Sequence, residues 1–118
     1  MVNQYVPDTG DIVFLDFDPQ IGREQAKRRP ALVLTDLRYN RASGLAVVCP
    51  LTSKGSKVKP YPFTLPITVG NVEGAVLVDQ LKSLDWEGRG AEFHSKAPPK
   101  MIAKVRQYIA VLLQIPVR

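Results

Sequence analysis

"DIVFLDFDPQIGREQAKRRPALVLT" is the sequence of residues 11–35, and it holds two apolar runs on either side of a basic segment. In the first run Val13, Leu15 and Phe17 alternate with residues of the opposite face, which is the period of a β-strand. The second run, residues 30–35, begins with a proline, which is tolerated at the first position of a strand because no ladder donor is needed there. The stretch therefore predicts two neighbouring strands joined by a basic loop.

The rest of the chain continues as short strands and ends in a helix. Four further strands are predicted, at residues 45–52, 61–67, 74–84 and 90–93. The tail differs, because its apolar residues from Met101 to Leu112 recur at helical spacing. The sequence thus predicts a single domain, residues 1–118, of the β-rich α+β class: a small antiparallel barrel or curled sheet that carries a C-terminal helix.

Composition and charge narrow the class of protein. The 118 residues are 45% hydrophobic and 23% charged, which are values of a globular domain. The formal charge of +5 favours a polyanionic partner. Cys49 lies in an apolar run and is expected to be a buried thiol in a reducing compartment. We see no secretory signal and no run long enough to cross a membrane, so we expect a cytoplasmic protein.

Three polar residues are expected at one edge of the sheet. If the first three strands form an antiparallel meander, Asp18, Arg29 and Thr52 lie at the same edge. Arg29 precedes Pro30, which disfavours helical backbone at Arg29 and so fixes the direction of its guanidinium. A guanidinium of fixed direction can bind a phosphate through two hydrogen bonds. The alternative, from charge content alone, is a solvated basic turn.

Several motifs carry a resemblance to a known family. The stretch "GDIVFLDFDPQIGREQAKRRPALVL", followed by "PLTS" and "GAVLVDQLKSLDW", resembles the MazF/PemK family of toxin endoribonucleases. The resemblance implies an SH3-like barrel of the CcdB/PemK type with a C-terminal helix, acting as a homodimer. It also implies a toxin of a type II toxin–antitoxin module that binds an acidic antitoxin and cuts single-stranded RNA, mostly mRNA, at short sequences without a metal. The family's catalytic arginine, threonine and glutamate fall on Arg29, Thr52 and Glu24.

The chemistry of RNA cleavage fits these three residue types. RNA supplies its own nucleophile, the 2′-hydroxyl beside the scissile phosphate, so the enzyme need only align attack, assist proton transfer and stabilise charge. Arg29 stays protonated at neutral pH and suits charge stabilisation, and Thr52 can donate to a phosphate oxygen. Glu24 is the ordinary candidate for a base, but its cationic neighbours favour its charged form, which weakens it as a base. Which residue is the general base and which the general acid stays open.

An RNA-binding surface is predicted around the catalytic positions. Its residues lie in the two basic loops, at the end of the first strand and in the "VDQLKS" motif: Gln25, Lys27, Arg28, Lys54, Lys57, Phe17 and Gln80. No metal or other cofactor is expected. Asp16 and Asp18 form a pair on one strand, but no third ligand at a fixed spacing accompanies them.

A rival function comes from another class of protein. Toxins of the CcdB type share the predicted fold and bind DNA gyrase without catalysing a reaction, and they rely on a tryptophan near the C-terminus. Here the chain ends in "LLQIPVR" and its single tryptophan, Trp86, is internal, which favours the nuclease. A catalytically silent nucleic-acid-binding barrel is disfavoured by the presence of Arg29, Glu24 and Thr52 together. The sequence does not determine the RNA sequence that is cut, the identity of the antitoxin, or whether ribosomal and transfer RNA are also targets.

Overall fold

The computed structural model describes residues 5–17, 28–52 and 62–116. The elements, in chain order, are β1 (Asp11–Asp16), β2 (Arg28–Val33), α1 (Leu37–Ser43), β3 (Leu45–Thr52), β4 (Thr64–Val69), β5 (Val72–Leu77), a 3₁₀ helix (Val78–Gln80), β6 (Lys82–Asp85), β7 (Glu92–Lys96) and α2 (Pro99–Leu113). The predicted class is confirmed: a curled antiparallel sheet followed by a C-terminal helix.

The seven strands form one sheet in the order β4-β5-β3-β2-β1-β7, and β6 also pairs with β3. Every pairing between these strands is antiparallel, and the meander predicted for the first three strands is confirmed. The prediction of one strand over residues 74–84 is wrong. The 3₁₀ helix interrupts the predicted strand. As a result, β5 pairs with the end of β3 and β6 pairs with the beginning of β3. Val78 in that helix is fully buried, which is why the sequence stays apolar through the break.

Each face of the sheet carries an apolar cluster, because side chains alternate along every strand. The inner cluster lies under α2 and contains Ile12, Leu32, Cys49, Leu51, Leu65, Ile67, Val72, Val76, Val78, Ala97, Ile102 and Val105. The outer cluster contains Val13, Leu15, Ala31, Val33, Ala46, Val48, Leu84 and Ala91, with Tyr5, Phe17 and Trp86 packed against it. The face of the sheet on which a residue lies therefore follows from its position in its strand.

The C-terminal helix covers the inner cluster with one stripe of side chains. Proline stands at its first position, where a missing N–H is tolerated. Ile102 and Val105 are buried, whereas Val111 and Leu113 near its end are exposed. Within the described ranges no helix is long and apolar enough to cross a membrane.

The core includes the Cys49 thiol, whose burial was predicted, and the Asp11 carboxylate. Cys49 is a buried free thiol, as predicted, and burial raises its pKa to about 12. Asp11 is buried and accepts hydrogen bonds from the Tyr5 hydroxyl at 2.5 Å and the Lys96 ammonium at 2.5 Å. Burial is also the main reason why the pKa of Tyr5 is raised. This network ties the N-terminal segment to β1 and β7.

Candidate active site

Arg29 and Thr52 lie on the same face of the sheet. In β2, Ala31 belongs to the outer cluster, so Arg29, two residues before it, shares that face. In β3, Val48 belongs to the same cluster, so Thr52 lies on that face too. The β2–β3 ladder pairs Ala31 with Pro50, and the same register extended by two residues would set Arg29 opposite Thr52. The two residues predicted to be catalytic therefore lie on one face of the sheet, near the adjoining ends of neighbouring strands.

The Thr52 hydroxyl is buried without a hydrogen-bond partner among the described residues. Most buried hydroxyls are bonded, and an unbonded one costs about 1–3 kcal/mol, so a hydroxyl in this state is a candidate ligand-binding group. The neighbouring strand helps to set its position. Thr52 pairs with Ala75 in β5, and a Cβ built on the preceding Gly74 would stand 1.7 Å from the Thr52 carbonyl oxygen. Only glycine permits this approach of β5 to the end of β3.

Arg29 is an exposed cation at the start of β2. Arg29 pairs with Leu15 of the neighbouring strand β1, and the buried Pro30 follows it in β2. Among the described residues no carboxylate or carbonyl accepts a hydrogen bond from its guanidinium. A free, exposed guanidinium held on a strand is available for an anionic ligand.

Arg28 lies on the opposite face and is occupied by acceptors within the protein. Its Nη2 atom donates to the Phe14 carbonyl at 2.9 Å, the Gly90 carbonyl at 2.5 Å and Glu92 at 3.1 Å. Its Nη1 atom is 3.4 Å from an oxygen of Asp16. The structure therefore separates Arg28 from Arg29, although the sequence analysis placed both on the RNA-binding side.

Phe17 and Lys82 lie together on the outer face, the same face of the sheet as Arg29 and Thr52. Phe17 is half-buried against the outer cluster, and the Lys82 ammonium lies 5.5 Å from the centre of its ring. Lys82 pairs with Val48 in the β3–β6 ladder, which places it on the same face as Thr52. Lys82 was not among the predicted site residues, because it stands in a strand with no local charge cluster to mark it.

Arg89, which no sequence motif indicated, forms hydrogen bonds with the last residue of β1 and the residue after it. Arg89 donates from Nη1 to the carbonyl of Asp16 at 3.2 Å and to the carbonyl of Phe17, and its own carbonyl accepts from the Asp16 amide at 2.9 Å. These bonds join the turn after β6 to the last residues of β1. The role depends on tertiary contacts between distant parts of the chain, and no sequence signal could have found it.

The remaining predicted residues are either exposed or outside the described ranges. Gln80 is exposed in the 3₁₀ helix, two residues before Lys82. Six predicted residues lie outside the described residues: Asp18, Glu24, Gln25, Lys27, Lys54 and Lys57. Within residues 5–17, 28–52 and 62–116, no group of three or more His, Cys, Asp or Glu side chains is placed to hold a metal ion. The described residues offer an anion a guanidinium and a buried hydroxyl on one face.

Comparison with known proteins identifies the family. Residues 8–113 match the model of the PemK-like, MazF-like toxins of type II toxin–antitoxin systems. The chain is similar to the endoribonuclease toxin MazF of Escherichia coli strain K12, with 39% identity over 113 residues that cover 96% of this chain and 99% of the relative. It is also similar to the crystal structure of MazF from Deinococcus radiodurans, with 45% identity, a TM-score of 0.83 and coverage of 95% of this chain and 100% of that one.

A second solved structure adds an assembly. The Form-II crystal structure of MazE–MazF from Deinococcus radiodurans matches with 45% identity and a TM-score of 0.87, covering 96% of this chain and 100% of that one. The matching family model and the near-complete coverage of relatives at this identity agree with the curled sheet and C-terminal helix described above. The chain belongs to the PemK-like, MazF-like family of type II toxins.

Proposed function

We propose that the protein is the toxin of a type II toxin–antitoxin module and that it cleaves single-stranded RNA, chiefly mRNA, at short sequences. Family membership and the relatives named endoribonucleases support the activity. One observation supports the proposed site: Arg29 and Thr52 lie on one face at the adjoining ends of β2 and β3, and the Thr52 hydroxyl is buried with no partner among the described residues. That arrangement suits a phosphate oxygen as the missing partner.

In this proposal the scissile phosphate lies between Arg29 and Thr52. The adjacent 2′-hydroxyl of the RNA attacks the phosphorus, and the 5′-oxygen of the next nucleotide leaves with a proton. Arg29 stabilises the negative charge that develops on the phosphate oxygens, and Thr52 donates a hydrogen bond to one of them. Glu24 is proposed as the third catalytic residue, and the assignment of base and acid stays open. The reaction needs no metal because the substrate carries its own nucleophile.

The proposed RNA path runs along the outer face and the two basic loops. Phe17 is proposed to stack on a base, a contact that tolerates any base because each has a π-face. Gln80 is proposed as a further polar contact. Gln25, Lys27, Lys54 and Lys57 are proposed as contacts from the two loops. Arg28 is left out of this path, because its guanidinium already has acceptors within the protein.

The partners follow from the same proposal. An acidic antitoxin segment that covers the basic site and folds on it would compete with RNA. Solved structures of similar chains are MazE–MazF complexes, which supports an antitoxin partner. A homodimer and a cytoplasmic location are also proposed, the latter because mRNA is the substrate. The CcdB-like, gyrase-binding alternative is not favoured, since the named relatives are endoribonucleases.

Cleavage of matched substrates in EDTA tests the function. The purified protein is incubated with total RNA, the new 5′ ends are mapped, and an RNA oligonucleotide containing the mapped site is then compared with a copy that has a single 2′-deoxy nucleotide at the cut. We expect the all-RNA substrate to yield fragments with a 5′-hydroxyl and a 2′,3′-cyclic phosphate, and the deoxy copy to stay intact. Cleavage of the deoxy copy, or failure of any RNA to be cut, would contradict the proposal.

A further inference from the structure

Arg28 reaches across β1 from its place in β2. Its backbone pairs with Asp16 at the end of the β1–β2 ladder, yet its guanidinium bonds to the Gly90 carbonyl in the turn before β7 and to Glu92 in β7. These two acceptors lie beyond β1, since β1 pairs with β2 on one side and with β7 on the other. The side chain therefore joins three neighbouring segments at the edge of the sheet.

The two backbone carbonyls are the acceptors that matter most in this contact. The ion pairs with Asp16 and Glu92 are solvated, because the two carboxylates are 50% and 74% exposed, and exposed ion pairs contribute little. The Phe14 and Gly90 carbonyls are fixed by the backbone, and both accept from the same Nη2 atom. The turn is shaped to admit the guanidinium: Gly90 has a φ of +66°, and a Cβ there would stand 3.2 Å from Nη1. The planar fork of arginine suits such a site, whereas a lysine ammonium does not reproduce it.

Fixing Arg28 also fixes the direction of its neighbour. Consecutive residues of a strand point to opposite faces, so an Arg28 side chain held over β1 on one face sets Arg29 on the other, towards Thr52. The adjacent proline restricts the backbone of Arg29 from the other side. The start of β2 is thereby held at the two residues that flank Arg29.

We infer that Arg28 is a positioning residue, which holds the start of β2 so that Arg29 faces the phosphate, and that its own guanidinium does not contact RNA. This inference rests on the proposed function, because it concerns the rate of RNA cleavage. Arg28 and Arg29 thus have different roles, although they carry the same charge and are adjacent in the sequence.

The test separates binding from cleavage in matched variants. Arg28→Gln and Arg28→Lys are compared with Arg29→Gln and with Arg38→Gln, which removes one charge from an exposed arginine of α1. For each, RNA affinity is measured between low and high salt with a non-cleavable deoxy substrate, and the cleavage rate is measured in single turnover at saturating RNA. Thermal unfolding checks that each variant is folded.

We expect both Arg28 variants to cleave roughly 10- to 100-fold more slowly, because a small displacement of a catalytic group is costly. The affinity and salt dependence of Arg28→Lys, which keeps the charge, should match those of the wild type, and those of Arg28→Gln should match those of Arg38→Gln. A log–log salt slope that falls by about 0.7 in Arg28→Gln relative to that control would overturn the inference, since it reports a lost phosphate contact. Wild-type cleavage by either folded variant would overturn it too. If Arg29→Gln itself cleaves normally, the proposed site fails, and the two failures are therefore distinguishable.

Discussion

Arg28 and Arg29 are adjacent in the chain and have the same side chain, but their surroundings on the two faces at the start of β2 differ. On one face Arg28 is held by the Phe14 and Gly90 carbonyls and by two carboxylates. On the other face, which it shares with the unbonded Thr52 hydroxyl, Arg29 is exposed, with no acceptor among the described residues. Neighbouring cations in a basic cluster can therefore have different functions. A cation satisfied by its own protein supports structure, and one left free on a rigid strand is available to a ligand.

Of the variants that distinguish these two arginines, Arg29→Gln is expected to have the largest effect. Loss of one preorganised donor to a developing anion costs about 10²–10³ in rate, so single-turnover cleavage should fall by about that factor. Stability should stay within about 0.5 kcal/mol of the wild type, because the side chain is exposed and has no partner to lose among the described residues. Cleavage and urea unfolding of the same preparation measure both quantities. An unfolded variant would show that Arg29 is structural, and the contrast with Arg28 would be lost.

Thr52→Val tests the other half of the site without changing the shape of the side chain. We expect cleavage to fall by about 10², because valine cannot donate to the phosphate. Stability should be unchanged or should increase, since the buried hydroxyl has no partner among the described residues and its removal costs no hydrogen bond. Thr52→Ser is the matched control and should keep most of the activity. A loss of stability in Thr52→Val with full cleavage would place the hydroxyl in the fold rather than the site.

Gly74→Ala tests whether cleavage depends on the position of the end of β3. A Cβ at this position would stand 1.7 Å from the Thr52 carbonyl oxygen, so the strands must move apart. We expect a destabilisation of about 1–3 kcal/mol and slower cleavage, because Thr52 moves with its backbone. Gly44→Ala provides the control: it strains a left-handed residue, with φ of +75°, but has no atom within 4 Å of the new Cβ, so it should lower stability and leave cleavage unchanged. Equal cleavage by both variants would show that the position of Thr52 is not critical.

The smallest effect is expected for Glu92→Gln on the Arg28 face. The carboxylate is 74% exposed, so its ion pair with Arg28 should contribute less than about 1 kcal/mol to the free energy of unfolding. Cleavage should remain close to that of the wild type, because the carbonyl contacts of Arg28 persist. Thermal unfolding at low and high salt, together with the cleavage assay, measures the change. A large loss of either quantity would mean that the ion pair, rather than the carbonyls, holds Arg28.

Sequence patterns failed mainly where one apolar run serves two strands. Residues 74–84 have the composition of a single strand, but the chain turns at Val78–Gln80 and both halves pair with β3. Val78 is buried inside the turn, so hydrophobicity does not fall where the strand ends. Lys82 and Arg89 were missed for a related reason. Their contacts with Phe17 join residues far apart in the sequence, and no local pattern encodes them.

Four features can be recognised from local sequence: the alternation that makes the strands, the helical spacing of the tail, the arginine–proline pair and the motifs that mark the family. These are local properties, which depend on side-chain period and backbone sterics over a few residues. The partners that each arginine meets depend on how distant strands pair. The pairing of β2 with β3 brings Arg29 and Thr52 to adjoining strand ends on one face, and the turn before β7 supplies the Gly90 carbonyl that accepts from Arg28. Register and non-local acceptors arise when distant strands pair, so a reading of one segment at a time cannot fix them.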